Sequence, residues 1–144
     1  SPPGVKPSVD VSGCRRFTSA DGVLLLVGKS AVDNDRLSFR VARGNDWWFH
    51  VQGLAGSHVV ARTPRGVELG QETLLDAATL AIWHSKFRTA GRASVTYALR
   101  KQVSKPRNAP PGLVMVAQPR RLDVVVERER LERLLQGEAG RDEG

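Results

Sequence analysis

The sequence has one cysteine, one methionine, one tyrosine and, through the 46 residues from Ala77 to Leu122, no aspartate or glutamate. Each scarcity excludes something. A lone thiol, Cys14, cannot build an internal disulfide framework or make a thiolate metal site by itself. No run of 18 apolar residues occurs, and the Pro-rich N-terminus lacks the apolar core of a signal peptide, so neither a membrane span nor classical export is expected. The glycine-rich phosphate-cradling motifs and the Gly-x-Ser-x-Gly elbow of serine hydrolases are also missing. His50, His58, His84 and Cys14 are the soft metal ligands available, without CxxC or HxxxH spacing, so no metal site is expected. These absences lead to the expectation of a reduced, cytoplasmic, soluble domain with no membrane partner and no cofactor.

What is present is an ordinary globular composition, 40% hydrophobic and 26% charged over 144 residues. That length suits one domain. The window without acids holds Lys86, Arg88, Arg92, Arg100, Lys101, Lys105, Arg107, Arg120 and Arg121. It carries +9 against a whole-chain charge of +7, so the remainder stands at −2. A one-sided field of this kind attracts polyanions.

Along the chain, residues 1–14 read as a flexible linker or arm, 15–135 as the folded unit and 136–144 as a polar, Gly-rich tail. Arg16–Ser19 and Val23–Val27 flank an Asp-Gly turn and predict a hairpin. Asp33–Arg43 is ambiguous. Leu37, Phe39 and Val41 alternate as in a strand, yet Asp33 or Asn34 could cap a short helix. Trp47–Val51 and His58–Arg62 read as strands joined by a turn containing Gly53 and Gly56. Gln71–Arg88 predicts a long amphipathic helix closed by Gly91, with Lys86 and Arg88 at its C-terminal end. Ala93–Leu99 reads as a strand and 101–112 as a Pro-rich loop. Leu113–Ala117 and Leu122–Val126 predict a final hairpin, and 127–135 a short helix. Mostly antiparallel neighbours make the expected class α+β.

Several constellations bear on chemistry. Phe49-His50-Val51 and Ser57-His58-Val59 each place a histidine between apolar neighbours on adjacent strands. Two imidazoles facing one cleft would suit phosphate or base contact, or a two-histidine phosphoesterase or nuclease helped by Asp46 or Ser57. Core or turn-stabilising histidines are the competing reading. Trp47 and Trp48 point to opposite sheet faces, one to the core and one free to stack on a base. Trp83 is expected at the core margin. Prolines stiffen the 101–112 loop, so Lys101, Lys105 and Arg107 are expected on a semi-rigid arm suited to a phosphate backbone.

Taken in order, Asp21-Gly22, Leu26-Val27-Gly28-Lys29, Asn34-Asp35-Arg36-Leu37, Asn45-Asp46-Trp47-Trp48-Phe49-His50-Val51 and Gly56-Ser57-His58-Val59-Val60 resemble the NFACT-R domain. Glu72–Ala78, Ser85-Lys86 with Arg88, Lys105-Pro106 and Pro111-Gly112 extend the resemblance, which covers Phe17 to Val126. NFACT-R is the RNA-binding domain of the RqcH/NEMF ribosome-associated quality-control family. The resemblance implies an α+β unit in which 34–43 is helical. It implies a non-catalytic RNA-binding module contacting tRNA or ribosomal RNA on the large ribosomal subunit. His50, Ser57, His58, Lys86, Arg88, Lys101, Lys105 and Arg107 are the expected RNA-binding residues. Where many members have proline before Gly-Ser-His, this chain has Ala55. Full-length members carry a large N-terminal domain, a helix-hairpin-helix and coiled-coil arms, so the chain reads as a fragment of such a factor or as a stand-alone domain. An RNA-processing enzyme using His50 and His58, or a basic protein-interaction domain, are the alternatives.

Overall fold

The computed structural model describes residues 11–53 and 55–140. The first ten residues of the expected linker and the last four of the expected tail lie outside them. Cys14–Thr18 (β1) and Leu24–Gly28 (β2) form the opening hairpin, with Thr18 opposite Leu24. The Ser19 amide donates to the Val23 carbonyl at 2.8 Å, and Gly22 sits at φ +82°. Three residues, Ala20 to Gly22, therefore make the loop, one more than the bare Asp-Gly turn; a left-handed glycine commonly closes such a loop.

Ala31–Arg36 (α1) continues as a π-helical stretch, Leu37–Val41, which resolves the ambiguous segment as helix. Its cap is neither Asp33 nor Asn34. The Ser30 hydroxyl accepts from the Asp33 amide at 3.1 Å and donates to the Asp33 carboxylate at 2.9 Å, a reciprocal cap. Trp47–Val51 (β3), Val59–Ala61 (β4), Gln71–Trp83 (α2) and Arg92–Leu99 (β5) follow. Then come Val103–Ser104 (β6), Met115–Val116 (β7), Arg120–Val125 (β8) and Arg128–Gln136 (α3).

The main sheet has the order β1-β2-β4-β3-β5-β8, with every pairing antiparallel. Alternation along each strand gives it two apolar faces. Leu25, Val27, Phe49, Val51, Val59 and Val95 pack under α2 and α3. Leu26, Trp48 and Val60 face the other way, against Leu37 and Val41 of the helical stretch and Val103 of β6. Both tryptophans behave as the period of two requires. Trp48 is 1% exposed in the second core, while Trp47, half-buried, meets Tyr97 at 5.8 Å and lies under the Arg120 guanidinium.

Two expected elements are corrected. The long helix ends at Trp83, because His84 leaves helical backbone at φ −97°, ψ +37°. The Ser85 hydroxyl then donates to the Ile82 carbonyl and accepts from the Phe87 amide, a local turn that competes with further helix. Lys86 and Arg88 therefore lie on turns beyond the helix, and Gly91 (φ +67°) closes those turns instead of the helix. The final hairpin does not form either. Met115–Val116 pairs with Val103–Ser104 in a separate ribbon, and β8 instead completes the main sheet beside β5. Gln118, at φ +50°, turns the chain between the two. The segment after α3 returns to β1: the Ala139 amide donates to the Arg16 carbonyl, and Glu138 meets Arg15 at 3.3 Å.

Candidate nucleic-acid interface

The β3–β4 connection, the β2–α1 turn, the end of α2 and the 110–113 turn converge at one end of the sheet. They enclose a cleft of about 710 Å³. A shallower groove continues from it toward Arg15, Lys86 and Arg88, sharing Lys29, Ala55, Gly56, Ser57 and His84 with the cleft.

The walls are held by buried polar groups. Asn34, drawn into the interior from α1, donates to the Gly56 carbonyl at 3.3 Å and accepts from the His58 amide at 3.0 Å. The Ser57 amide donates to the His84 carbonyl at 3.1 Å, and Gly56 bridges to Ser85. One asparagine thus clamps the loop from one side and the end of α2 holds it from the other. Gly28 makes room for the clamp, since a Cβ there would collide with the Asn34 side-chain oxygen. Gly28→Ala is expected to cost about 1–3 kcal/mol in urea unfolding, the usual penalty for overpacking.

His58 is a structural group. It is 1% exposed, and both ring nitrogens are engaged: Nδ1 with the Ser38 hydroxyl at 2.7 Å, Nε2 with the Gly112 carbonyl at 3.1 Å. A carbonyl only accepts, so Nε2 carries the proton and Nδ1 accepts from Ser38. The Trp48 indole N–H donates to the same hydroxyl at 3.1 Å. Every proton in this chain has one consistent place, and the imidazole is neutral. Burial, followed by the neighbouring His50, pushes its pKa down to about 4.

Lys105 is likewise engaged within the protein. Its ammonium reaches the Asp35 carboxylate at 3.0 Å and donates to the carbonyls of Pro110, at 2.5 Å, and Leu113, at 3.0 Å. Asp35 also accepts from the Gly112 amide at 2.9 Å. Burial would raise the Asp35 carboxyl, but the Gly112 amide and Lys105 outweigh it and hold the pKa below its ordinary value. Lys105 therefore fastens the loop to α1 with all three of its donors, leaving none for phosphate.

The structure brings His50, Ser57, Lys86 and Arg88 together at the cleft and its groove. His50 is half-buried, 5.4 Å from the His58 ring, and burial lowers its pKa against an opposing Gly56 backbone hydrogen bond. Arg88 folds over the Trp83 ring at 4.3 Å. Arg107 is exposed on the outer turn of the 105–113 loop. Lys101 lies elsewhere: its amide donates to the Gly44 carbonyl, before the start of β3, whereas the cleft is at that strand's end. Four residue steps along a strand separate them by about 13 Å. Asp46 is also remote, accepting from the Arg43 and Thr63 amides and pairing with Arg62 at 3.0 Å. Arg15, Lys29, Asn34 and His84 are site residues that sequence reasoning missed. Lys29 and Asn34 stood only within the motifs of the resemblance, Asn34 also as an alternative cap.

Residues 14–118 match the family model described as the NFACT protein RNA binding domain, and the chain belongs to that family. Its α+β class and family thus agree with the sequence reading. Among curated proteins, the chain is similar to the Rqc2 homolog RqcH of Bacillus subtilis, 38% identical over 98 residues (68% of this chain, 17% of that protein). RqcH of Streptococcus suis is 36% identical over 100 residues (69% and 18%). The ribosome quality control complex subunit NEMF homolog of Drosophila melanogaster is 32% identical over 97 residues (67% and 10%). The chain spans less than a fifth of the length of these relatives. Among solved structures, the C-terminal part of the fibronectin/fibrinogen-binding protein from Streptococcus suis superposes with a TM-score of 0.77 at 30% identity. That match covers 90% of this chain and 50% of the other.

Proposed function

We propose that this domain binds RNA through the groove formed by Arg15, Lys29, Lys86 and Arg88, acting in ribosome-associated quality control on tRNA or ribosomal RNA of the large subunit. The observation that carries the reading is the convergence of four cations from three separate elements on the continuous surface beside Ser57. No aspartate or glutamate lines that surface among the described residues. The ion pair of Arg15 with Glu138 is an exposed one, worth little against a phosphate. Arg107 adds charge at the outer turn, His50 and Ser57 supply polar contacts, and His58 and Lys105 shape the site from within. With backbone contacts dominating, recognition leans on shape and charge more than on base sequence. The name of the NEMF relative, a ribosome quality control complex subunit, supports the ribosomal setting and with it a cytoplasmic location.

The domain performs no catalysis in this reading. A two-histidine mechanism needs a ring nitrogen free to take a substrate proton. His58 has none, and Asp46 is too far away to assist.

The test is the salt dependence of binding to labelled tRNA and to a ribosomal RNA fragment. Lys86→Ala with Arg88→Ala is expected to weaken binding and to flatten the plot of log K against log salt by about one to two units, since each lost phosphate contact removes roughly 0.9. Lys105→Ala is expected to lower thermal stability and leave the slope unchanged. An unchanged slope in the double variant removes the groove from the interface. Sequencing RNA cross-linked to the protein identifies the partner.

A further inference from the structure

The groove has two chemically different halves. Toward Lys86 and Arg88 it is cationic and shallow. Toward the 110–113 turn it deepens into the 710 Å³ cleft, whose walls include Ala31, Ala55, Pro111 and Leu113. That volume lies within the ~300–1,000 Å³ of clefts that enclose a small ligand. One base with its ribose is of that size, whereas a paired base brings a second nucleotide with its own backbone. Between the halves stand His50, Ser57, His84 and Lys29. The Ser57 hydroxyl and the Lys29 ammonium have no partner among the described residues. Burial keeps both histidines below the ordinary imidazole pKa, so they are neutral at pH 7. A neutral imidazole suits the donor and acceptor edge of a base, and the cations beside it suit the attached phosphate.

We propose that the cleft admits one unpaired nucleotide, its base seated against Ala55 and Leu113 beside His50, and its phosphate resting on the lip formed by Lys29, Ser57 and Lys86. The inference deepens the RNA reading and rests on it: the groove tracks a backbone, and the cleft selects single-stranded over paired RNA. A duplex can meet only the cationic half. Leu113 lines the cleft and not the groove, and it is 53% exposed, so a larger side chain there fills the opening without entering the core.

The experiment compares two labelled probes by fluorescence anisotropy with the whole chain: an unstructured eight-nucleotide RNA and a blunt RNA duplex of eight base pairs. The single strand is expected to bind about tenfold more tightly. Leu113→Trp is expected to lose about tenfold on the single strand and change duplex affinity by less than twofold, with an unaltered melting temperature. Lys86→Ala weakens both probes. Equal affinity for the two probes, or Leu113→Trp without effect on the single strand, overturns the nucleotide cleft and leaves RNA binding by the groove standing. Failure to bind either probe overturns the RNA reading itself.

Discussion

Removing the two arginines of α3 that face Asp76 is expected to cost about 3–5 kcal/mol of folding stability, read as a lower urea midpoint for Arg130→Ala with Arg133→Ala. Asp76 stands in α2 with no exposed surface. Its carboxylate meets Arg130 at 2.7 Å and Arg133 at 2.6 Å and accepts from the Ala20 amide at 2.8 Å. A buried carboxylate stripped of its cations keeps its desolvation cost and loses what offset it. The single variants should be milder and non-additive, because the two guanidiniums share one acceptor oxygen. Arg130, whose side chain is 13% exposed and also reaches Glu72, should cost more than Arg133, at 42%. A double variant within 1 kcal/mol of wild type would show that α3 is an appendage rather than part of the fold. The family match ends at residue 118, so this triad also tests whether β8 and α3 belong to the same cooperative unit.

That triad illustrates where the sequence was readable and where it was not. Local signals held up well. The β-prone run after the Asp-Gly turn and the aromatic run Trp47–Val51 give strands, and the apolar content of 74–82 gives a helix packed on the sheet. Long-range pairings were out of reach. Asp35 and Lys105 are 70 residues apart, so a window devoid of acids concealed the one that neutralises Lys105. The same window spreads in space: Arg100 lies over Phe39 and Arg120 over Trp47, while Lys86 and Arg88 reach the groove. A run of like charge along the chain is therefore not one surface patch. The end of α2 was misread because Lys86, Phe87 and Arg88 continue a helical pattern that Ser85 interrupts through backbone bonds. The final hairpin was misread because β6 is only two residues long and sits inside a Pro-rich segment.

Stability should also fall by about 3 kcal/mol between pH 7 and pH 4 through His58 alone. The folded imidazole has its pKa lowered from 6.5 to about 4, so the folded protein resists a proton that the unfolded chain takes up readily. The stabilisation is fully present above pH 6.5 and is lost as the pH drops toward 4, at up to roughly 1.4 kcal/mol per unit. His50 and His84 are lowered by burial and add loss of the same sign. Asp46, raised by burial, opposes it, while Asp35, lowered by Gly112 and Lys105 despite its burial, matters only at the acid end. His58→Gln isolates the contribution: it cannot titrate, so the difference between its pH profile and that of wild type is the His58 term. Urea midpoints at pH 7, 6, 5 and 4.5 measure it, and parallel profiles would refute the buried neutral imidazole. Protonation must also break one end of the Ser38–His58–Gly112 chain, because a protonated Nδ1 can no longer accept from Ser38. The 110–113 turn, which forms one wall of the cleft, should then exchange its amides faster at pH 4 than at pH 7 after correction for intrinsic rates. Half of the folded imidazole is protonated only as the pH reaches about 4, so a loss of affinity for single-stranded RNA at pH 4 with duplex affinity retained would place His58 beneath the nucleotide cleft rather than beneath the cationic groove.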